Sequence, residues 1–199
     1  MGGYYLDYLK KICPMVEWRE LYTETDGNFP NHMPDPTKPE NIVALQNLVR
    51  SENLDFGVAF DGDADRAYFI DENGKFVDGN WISALISKTL LNQQQKNPIP
   101  ELTHSVVYNF PGSRVIPNTI LENGGAAIPA KMGHTFIKKE MVRYKSVFGC
   151  EHSGHYYYGI FGGFDSGVLT LVVILNIIMN SVSTFSELLK PYNSVYFWS

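Results

Sequence analysis

The sequence predicts an α/β protein made of two layered domains with mixed sheets. Short apolar runs with the length of strands alternate along the chain with longer segments that have helical spacing. The 199 residues are enough for one large domain or two small ones. The composition, 44% hydrophobic and 19% charged, is typical of a globular protein with a buried core.

Six stretches are predicted to be helices. Pro39 suits the first turn of one of them, and Gly124 and Gly125 end another. The predicted helices cover residues 3–12, 39–51, 81–91, 114–123, 135–144 and 165–179. The last includes the apolar run 168–179, which is too short to cross a bilayer and contains Asn176, so we expect a buried helix.

Short apolar runs between turn signals predict the strands. They lie at residues 57–60, 67–70, 75–77, 104–109, 126–128 and 147–149. A turn at 71–74 would connect the second strand to the third, and Pro111-Gly112 would end the fourth. Residues 25–39 and 93–100 are rich in polar and turn-forming residues and are predicted to be loops.

Charge and cysteine content exclude several classes of partner and site. The net charge is −5 and there is no long basic run, which argues against nucleic acid or a membrane surface as a partner. Cys13 and Cys150 are far apart and lack the spacing of a zinc site, so we expect two reduced thiols. The first residues lack the pattern of a signal peptide. These features together predict a cytoplasmic protein.

The most informative stretch is the carboxylate loop, residues 61–66. Asp61, Asp63 and Asp65 alternate with small residues that allow the backbone to curl around a cation. Three hard anionic oxygens suit Mg²⁺, and three aspartates would leave coordination positions for water and a substrate oxygen. Arg66 follows directly, and a guanidinium beside a metal suggests a phosphate shared between them.

Three other interpretations of this loop remain open. In an EF-hand the aspartates would take positions 1, 3 and 5, but Arg66 stands where the motif needs glycine. In a haloacid-dehalogenase-like phosphatase an aspartate after a strand is the nucleophile, but the usual Asp-x-Asp-Gly-Thr order is absent. An acidic turn with solvated carboxylates is the simplest alternative, although three aspartates between two apolar runs repel each other.

A second group of polar residues lies in the second half of the chain. Glu151, Ser153 and His155 alternate, so an extended segment would point all three side chains the same way. A carboxylate, a hydroxyl and an imidazole on one face would suit sugar hydroxyls. His134 and Lys138, at a loop-to-helix junction, could contact a phosphate.

Taken together, these segments resemble the α-D-phosphohexomutases, the phosphomannomutase and phosphoglucomutase family. The matching stretches are residues 26–42, 57–77, 112–125, 133–141, 148–158 and 164–167. The most specific are Asp-Gly-Asp-x-Asp-Arg and Glu-x-Ser-Gly-His, which occur here in the family's order. The resemblance implies that residues 1–74 form domain two of four, incomplete but with the metal loop, and residues 75–199 form domain three with the sugar-binding loop.

The resemblance also implies a chemistry and a role for each candidate residue. The family moves a phosphoryl group between C1 and C6 of a hexose through a phosphoserine and a hexose 1,6-bisphosphate. Asp61, Asp63 and Asp65 would bind Mg²⁺, and Arg66 would contact the transferring phosphate. The sugar would contact Glu151, Ser153 and His155, and the remaining cleft residues with catalytic roles would be His134 and Lys138.

The sequence departs from the family pattern in ways that affect function. It contains no Ser-His-Asn-Pro loop, so the phosphoryl-carrying serine is absent, and the resemblance implies that the C-terminal phosphate-binding domain and the first strand of domain two are absent too. We therefore expect a fragment of a mutase for mannose or glucose phosphates that is inactive alone and that the absent domains would complement. The alternatives are a non-catalytic sugar-phosphate-binding module or gene relic, and a metal-dependent phosphatase.

Overall fold

The computed structural model describes residues 2–109 and 113–193. The predicted end of a strand at Pro111-Gly112 lies outside these residues. Within them, no helix is both long and apolar enough to span a membrane.

Helices make up much of the described chain. A short 3-10 turn precedes the first helix, and two further 3-10 turns follow residues 158 and 189. The α-helices are α1 (Leu6–Ile12), α2 (Pro39–Glu52), α3 (Gly79–Lys96), α4 (Val115–Glu122), α5 (His134–Tyr144), α6 (Gly167–Met179) and α7 (Phe185–Leu189). Proline at the first turn of α2 agrees with the start signal in the sequence. α3 begins two residues before the predicted start at 81, because the Asp78 side chain accepts from the backbone N of Asn80.

The strands form two separate sheets. They are β1 (Phe56–Phe60), β2 (Ala67–Asp71), β3 (Thr103–Asn109), β4 (Ala126–Ala130), β5 (Ser146–Cys150), β6 (Tyr156–Tyr158) and β7 (Phe164–Asp165). β1 and β2 pair antiparallel as a two-stranded sheet. The other five form a mixed sheet in the order β4-β3-β5-β6-β7, with β3 parallel to β4 and β5. The predicted mixed α/β architecture is confirmed.

One large core joins the two sheets. Phe69 of β2 and Phe148 of β5 are both fully buried in it. α6 follows the second sheet in the chain but packs against β2 of the first, through Leu171 and Ile174. Because one helix completes the core of both sheets, the loops at the strand ends are held in fixed relation to each other.

Three predictions made from the sequence differ from the structure. Residues 75–77 do not form a strand, because only one bridge, Ile70 with Phe76, continues the pairing beyond the turn. Residues 93–96 belong to α3, because the buried Gln94 side chain bonds the backbone of Ile99 and Leu102 beyond the helix. The strands β6 and β7 and the helix α7 are too short to show a periodic pattern, and the sequence analysis missed them.

We expect Phe148→Ala to destabilise the protein strongly. Phe148 is 0% exposed and packs against Tyr156 and Tyr158, so truncation leaves a cavity between the strands. The expected loss in the free energy of unfolding is about 3–5 kcal/mol, measured by urea denaturation. Phe161→Ala is the matched control, because Phe161 is 55% exposed and its truncation should cost less than about 1 kcal/mol. Equal losses in the two variants would contradict this packing.

Candidate active site

The carboxylate loop connects the two strands of the first sheet. Asp61 follows β1 directly and is 4% exposed, and its two oxygens accept from the backbone N and the Nε of Arg66, at 3.1 and 2.6 Å. Ala64 has a φ of +64°, the left-handed conformation that lets the backbone curl. Burial of the Asp61 carboxylate is therefore offset by a charged partner five residues away in the same loop.

The second half of the chain holds this loop in place through backbone contacts. The N–H of Gly167, the first residue of α6, donates to the carbonyl of Ala64 at 3.2 Å. The N–H of Ala67 donates to the carbonyl of Gly154 at 3.3 Å. A Cβ at Gly167 would lie 2.6 Å from the carbonyl oxygen of Arg66, so only glycine allows this approach.

The three aspartates converge as the sequence analysis expected. Asp61, Asp63 and Asp65 each offer a carboxylate oxygen, and these oxygens lie within 4.8 Å of one another. The Oδ1 atom of Asp65 is buried without a hydrogen-bond partner among the described residues. Burial and the neighbouring charge of Asp61 raise the pKa of Asp65 above its ordinary value. The loop thus has spare acceptors and uncompensated negative charge, which fit a hard divalent cation.

The sugar-binding loop suggested by the sequence is a tight turn, not an extended segment. The N–H of Gly154 donates to the carbonyl of Glu151 at 3.2 Å, and the N–H of Glu151 donates to the carbonyl of His155 at 3.0 Å. Gly154 has a φ of +87°, which explains a glycine at this position. The expectation that alternation would align the side chains was wrong, because residues 151–155 reverse direction between β5 and β6.

The turn nevertheless brings the expected side chains together. The Oγ of Ser153 lies 3.0 Å from Nδ1 of His155, and Oε2 of Glu151 lies 3.7 Å from the same nitrogen. Glu151 is 3% exposed and accepts from the Gly133 N–H at 2.8 Å and the Tyr157 hydroxyl at 2.7 Å. Burial and the bond to this carboxylate raise the pKa of Tyr157, which remains a proton donor.

The two loops meet where His155 faces Asp65. Nε2 of His155 lies 3.5 Å from Oδ2 of Asp65, although the residues are 90 positions apart in the chain. Arg66 and His155 also form an isolated β-bridge, so the backbones of the two loops are in register. One imidazole therefore links the Ser153 hydroxyl on one side to the carboxylate loop on the other.

Lys138 reaches this cluster from α5. Its Nζ pairs with Oδ1 of Asp165 at 2.8 Å and lies 5.6 Å from the ring centres of Tyr157 and Phe164. Asp165 in turn has an oxygen within 4.8 Å of ligand atoms of Asp65 and His155. The sequence analysis did not select Asp165, although its motif Phe-Asp-Ser-Gly was among the matching stretches and places a carboxylate after an aromatic residue.

Two further residues qualify the sequence-based picture of the site. His134 begins α5 next to Gly133, but its side chain is exposed, and no described hydrogen bond or ion pair joins it to the cluster. Asn109, at the end of β3, was missed. Its Oδ1 accepts from the backbone N of His152 at 3.2 Å and its Nδ2 lies 3.0 Å from Nδ1 of His152, so the fully buried amide fixes the turn to the sheet.

Comparison with known proteins identifies relatives along nearly the whole chain. Family models for phosphoglucomutase/phosphomannomutase α/β/α domains II and III match residues 1–74 and 78–195. Phosphohexose mutases from Xanthomonas campestris are 32% identical over 192 residues, which is 95% of this chain and 40% of the relative. A phosphomannomutase from Methanocaldococcus jannaschii is 36% identical over 168 residues, 84% of this chain and 36% of the relative.

A solved structure shows the same arrangement. A phosphoglucomutase/phosphomannomutase family protein from Burkholderia thailandensis superposes with a TM-score of 0.86 and 27% identity, over 100% of this chain and 41% of that one. The chain therefore spans about two fifths of the length of these relatives.

We expect Gly167→Ala to loosen the carboxylate loop. The added methyl group would meet the carbonyl oxygens of Arg66 and Ala64, and backbone atoms cannot move aside as a flexible side chain can. The free energy of unfolding should fall by about 1–3 kcal/mol in urea denaturation. Gly27→Ala is the control, because nothing lies within 4 Å of its Cβ position, and no loss is expected there. A Gly167→Ala variant as stable as this control would contradict the described contact.

Proposed function

The chain belongs to the phosphoglucomutase/phosphomannomutase family, and we propose that it provides the metal-binding and sugar-binding loops of a Mg²⁺-dependent phosphohexomutase. Such an enzyme interconverts a hexose 1-phosphate and a hexose 6-phosphate through a phosphoserine and a hexose 1,6-bisphosphate. The observation that carries the proposal is the 3.5 Å contact between Asp65 and His155. This contact supports the proposal because it joins the carboxylate loop, which would hold Mg²⁺, to the turn 151–155, which would hold the sugar hydroxyls.

The carboxylate loop would hold the metal. Asp61, Asp63 and Asp65 would each give one oxygen to Mg²⁺, which would neutralise charge that develops on the transferring phosphoryl group. Arg66 donates from its Nε to Asp61 and would offer a further guanidinium N–H to a phosphate oxygen. The pair with Asp61 also restricts the rotamers of Arg66, so less entropy is lost when phosphate binds.

The turn 151–155 would orient the sugar. Glu151 is held from both sides by Gly133 and Tyr157 and would accept hydrogen bonds from sugar hydroxyls, with Ser153 beside it. His155 would exchange a proton with a hydroxyl while its ring stays between Ser153 and Asp65. Lys138 would add positive charge for a phosphate from the opposite side, and His134, exposed at the start of α5, would act at the rim.

A second function, binding without turnover, is favoured by one feature of the sequence. These 199 residues contain no Ser-His-Asn-Pro segment, so the family's phosphoryl carrier is not among them. The same loops would still bind Mg²⁺ and a hexose phosphate. The two candidates differ only in whether product forms.

We expect Asp65→Asn to weaken Mg²⁺ binding without destabilising the metal-free protein. Removing this charge deletes a metal ligand but also relieves burial and repulsion, which is why the pKa of Asp65 is raised. Isothermal titration calorimetry should show affinity for Mg²⁺ lowered at least about tenfold, while the free energy of unfolding in EDTA stays equal or rises by up to about 1 kcal/mol.

Asp55→Asn is the control for this experiment, because Asp55 is exposed and precedes β1 at the end away from the carboxylate loop. It should leave Mg²⁺ affinity unchanged. If Asp65→Asn binds Mg²⁺ as tightly as Asp55→Asn, the loop is not a metal site and the proposed function fails.

We expect the chain to bind glucose 1-phosphate or mannose 1-phosphate in the presence of Mg²⁺ without converting it. Glu151→Gln should weaken binding about tenfold, because it replaces a buried carboxylate acceptor that the Gly133 and Tyr157 donors hold in place. Glu101→Gln, at an exposed position outside the site, should have no effect. Binding is measured by calorimetry and product by a coupled assay for the 6-phosphate.

Each outcome of this assay has a definite meaning. Formation of 6-phosphate by the chain alone would exclude the binding-only alternative. Release of inorganic phosphate from simple phosphoesters would instead support a phosphatase and contradict the mutase proposal.

A further inference from the structure

One strand leads to each of the two loops, and these two strands, β1 and β5, differ in how many neighbours they pair with. β5 leads to the turn at Glu151 and is followed by antiparallel β6, and β1 leads to Asp61 and is followed by antiparallel β2. On its other edge β5 pairs with parallel β3, whereas β1 pairs with β2 alone among the strands of residues 2–109 and 113–193. All five residues of β5 are buried, but only one of the five in β1 is. β1, which precedes the carboxylate loop, is therefore an edge strand, whereas β5, which precedes the turn 151–155, is a central strand.

A long groove follows the free edge of β1. All five residues of β1 line a cavity of about 850 Å³. Leu45 and Leu48 of α2 line one side, and Leu171 and Leu175 of α6 line the other. A Cβ at Gly57 would touch Leu45, whereas Phe56 and Val58 belong to the core that α6 completes, so helices cover both faces of the sheet at this edge. Only an extended strand could occupy this space and also use the backbone groups of β1.

The rim of the groove is acidic. Glu17, Glu20, Glu24, Asp26 and Glu52 all line it, against Arg19 and against Lys10, which pairs with Glu20. Arg19 is already paired with Glu17 and Glu52. Glu24 and Asp26 are exposed and add charge that this pairing does not neutralise. A binding segment would therefore have basic residues at its ends and apolar residues on both faces in the middle.

A hydrogen-bond donor in the same groove also lacks a partner. Trp18 lines the cavity, and its indole Nε1 is buried without a hydrogen-bond partner among the described residues. A buried indole N–H normally finds an acceptor, and the carbonyl groups of an added strand would supply one.

From these observations we propose that the groove binds an extended segment of a separate polypeptide, which adds as a strand parallel to β1. The segment has apolar side chains on both faces, as β3 has with Val106 and Val107, and lysine or arginine at its ends. The pairing of β3 with β5 shows, within this molecule, the arrangement that the added strand takes. The proposal requires neither a metal nor a sugar phosphate, so its tests are independent of those of the proposed function.

The first test is binding of a labelled peptide with the sequence of residues 103–109 and two added lysines at each end. Fluorescence anisotropy against the intact chain should show saturable binding. Hydrogen exchange of the amides of Phe56–Phe60 should slow in the complex, because these groups gain partners. No binding at peptide concentrations up to about 1 mM, or protection only elsewhere in the chain, would overturn the proposal.

Two modified peptides test strand pairing without altering the protein. Alternate amides of a strand face the same neighbour, so one peptide is N-methylated at every second residue and the other at the remaining residues. One of them should bind at least about tenfold more weakly than the other, because it alone loses the donors to β1. Equal binding by both would mean that the peptide does not pair as a strand.

A charge variant tests the rim. Glu24→Gln combined with Asp26→Asn should weaken peptide binding about two- to tenfold and reduce its dependence on salt. Glu101→Gln combined with Glu122→Gln removes the same charge outside the groove and should have no effect. If sedimentation equilibrium shows that the chain forms a dimer and that the peptide dissociates this dimer, the occupant of the groove is a second copy and the proposal is wrong.

Discussion

The structure depends on the backbone contact between the carboxylate loop and the second half of the chain. Three mutually repelling aspartates cannot hold a curled loop by themselves. Their positions are fixed because Ala64 and Ala67 bond the backbone of Gly167, at the start of α6, and of Gly154, in the turn between β5 and β6. These are hydrogen bonds between main-chain groups, so they persist whatever the charge on the aspartates. The loop can therefore keep spare negative charge without unfolding.

The same contact brings the two clusters of side chains together. Arg66 neutralises part of the charge of Asp61 from within the loop, and His155 faces Asp65 from outside it. The loop thus meets a basic side chain on each side, yet burial and repulsion from Asp61 raise the pKa of Asp65 above its ordinary value. A divalent ion would relieve both costs, whereas another lysine or arginine would compete with Arg66 for the same oxygens.

Much of the fold and part of the site could be predicted from the sequence. The features that were predicted depend on local sequence, whereas those that were missed depend on strand pairing. α2 was found because apolar residues at helical spacing and a first-turn proline are local signals, and β2 because a short apolar run before a turn is local too. The position of Asp165 beside His155 could not be found that way, because it depends on how β7 pairs with β6. The turn at Glu151 was misjudged for a similar reason. The alternation of Glu151, Ser153 and His155 favoured an extended segment. Gly154 instead adopts a left-handed conformation, which allows the chain to turn back so that β6 pairs antiparallel with β5.

β1 connects the groove to the carboxylate loop. Asp61 follows Phe60 directly, so the position of the buried carboxylate depends on how firmly the end of β1 is held. β5 is paired on both edges just before Glu151, whereas β1 is paired on one edge just before Asp61. A strand paired on one side opens more readily than a strand paired on both sides. The carboxylate loop therefore follows the less constrained of the two strands. An added strand would order β1 and Asp61 together, because the ladder of hydrogen bonds would reach the residue next to the carboxylate.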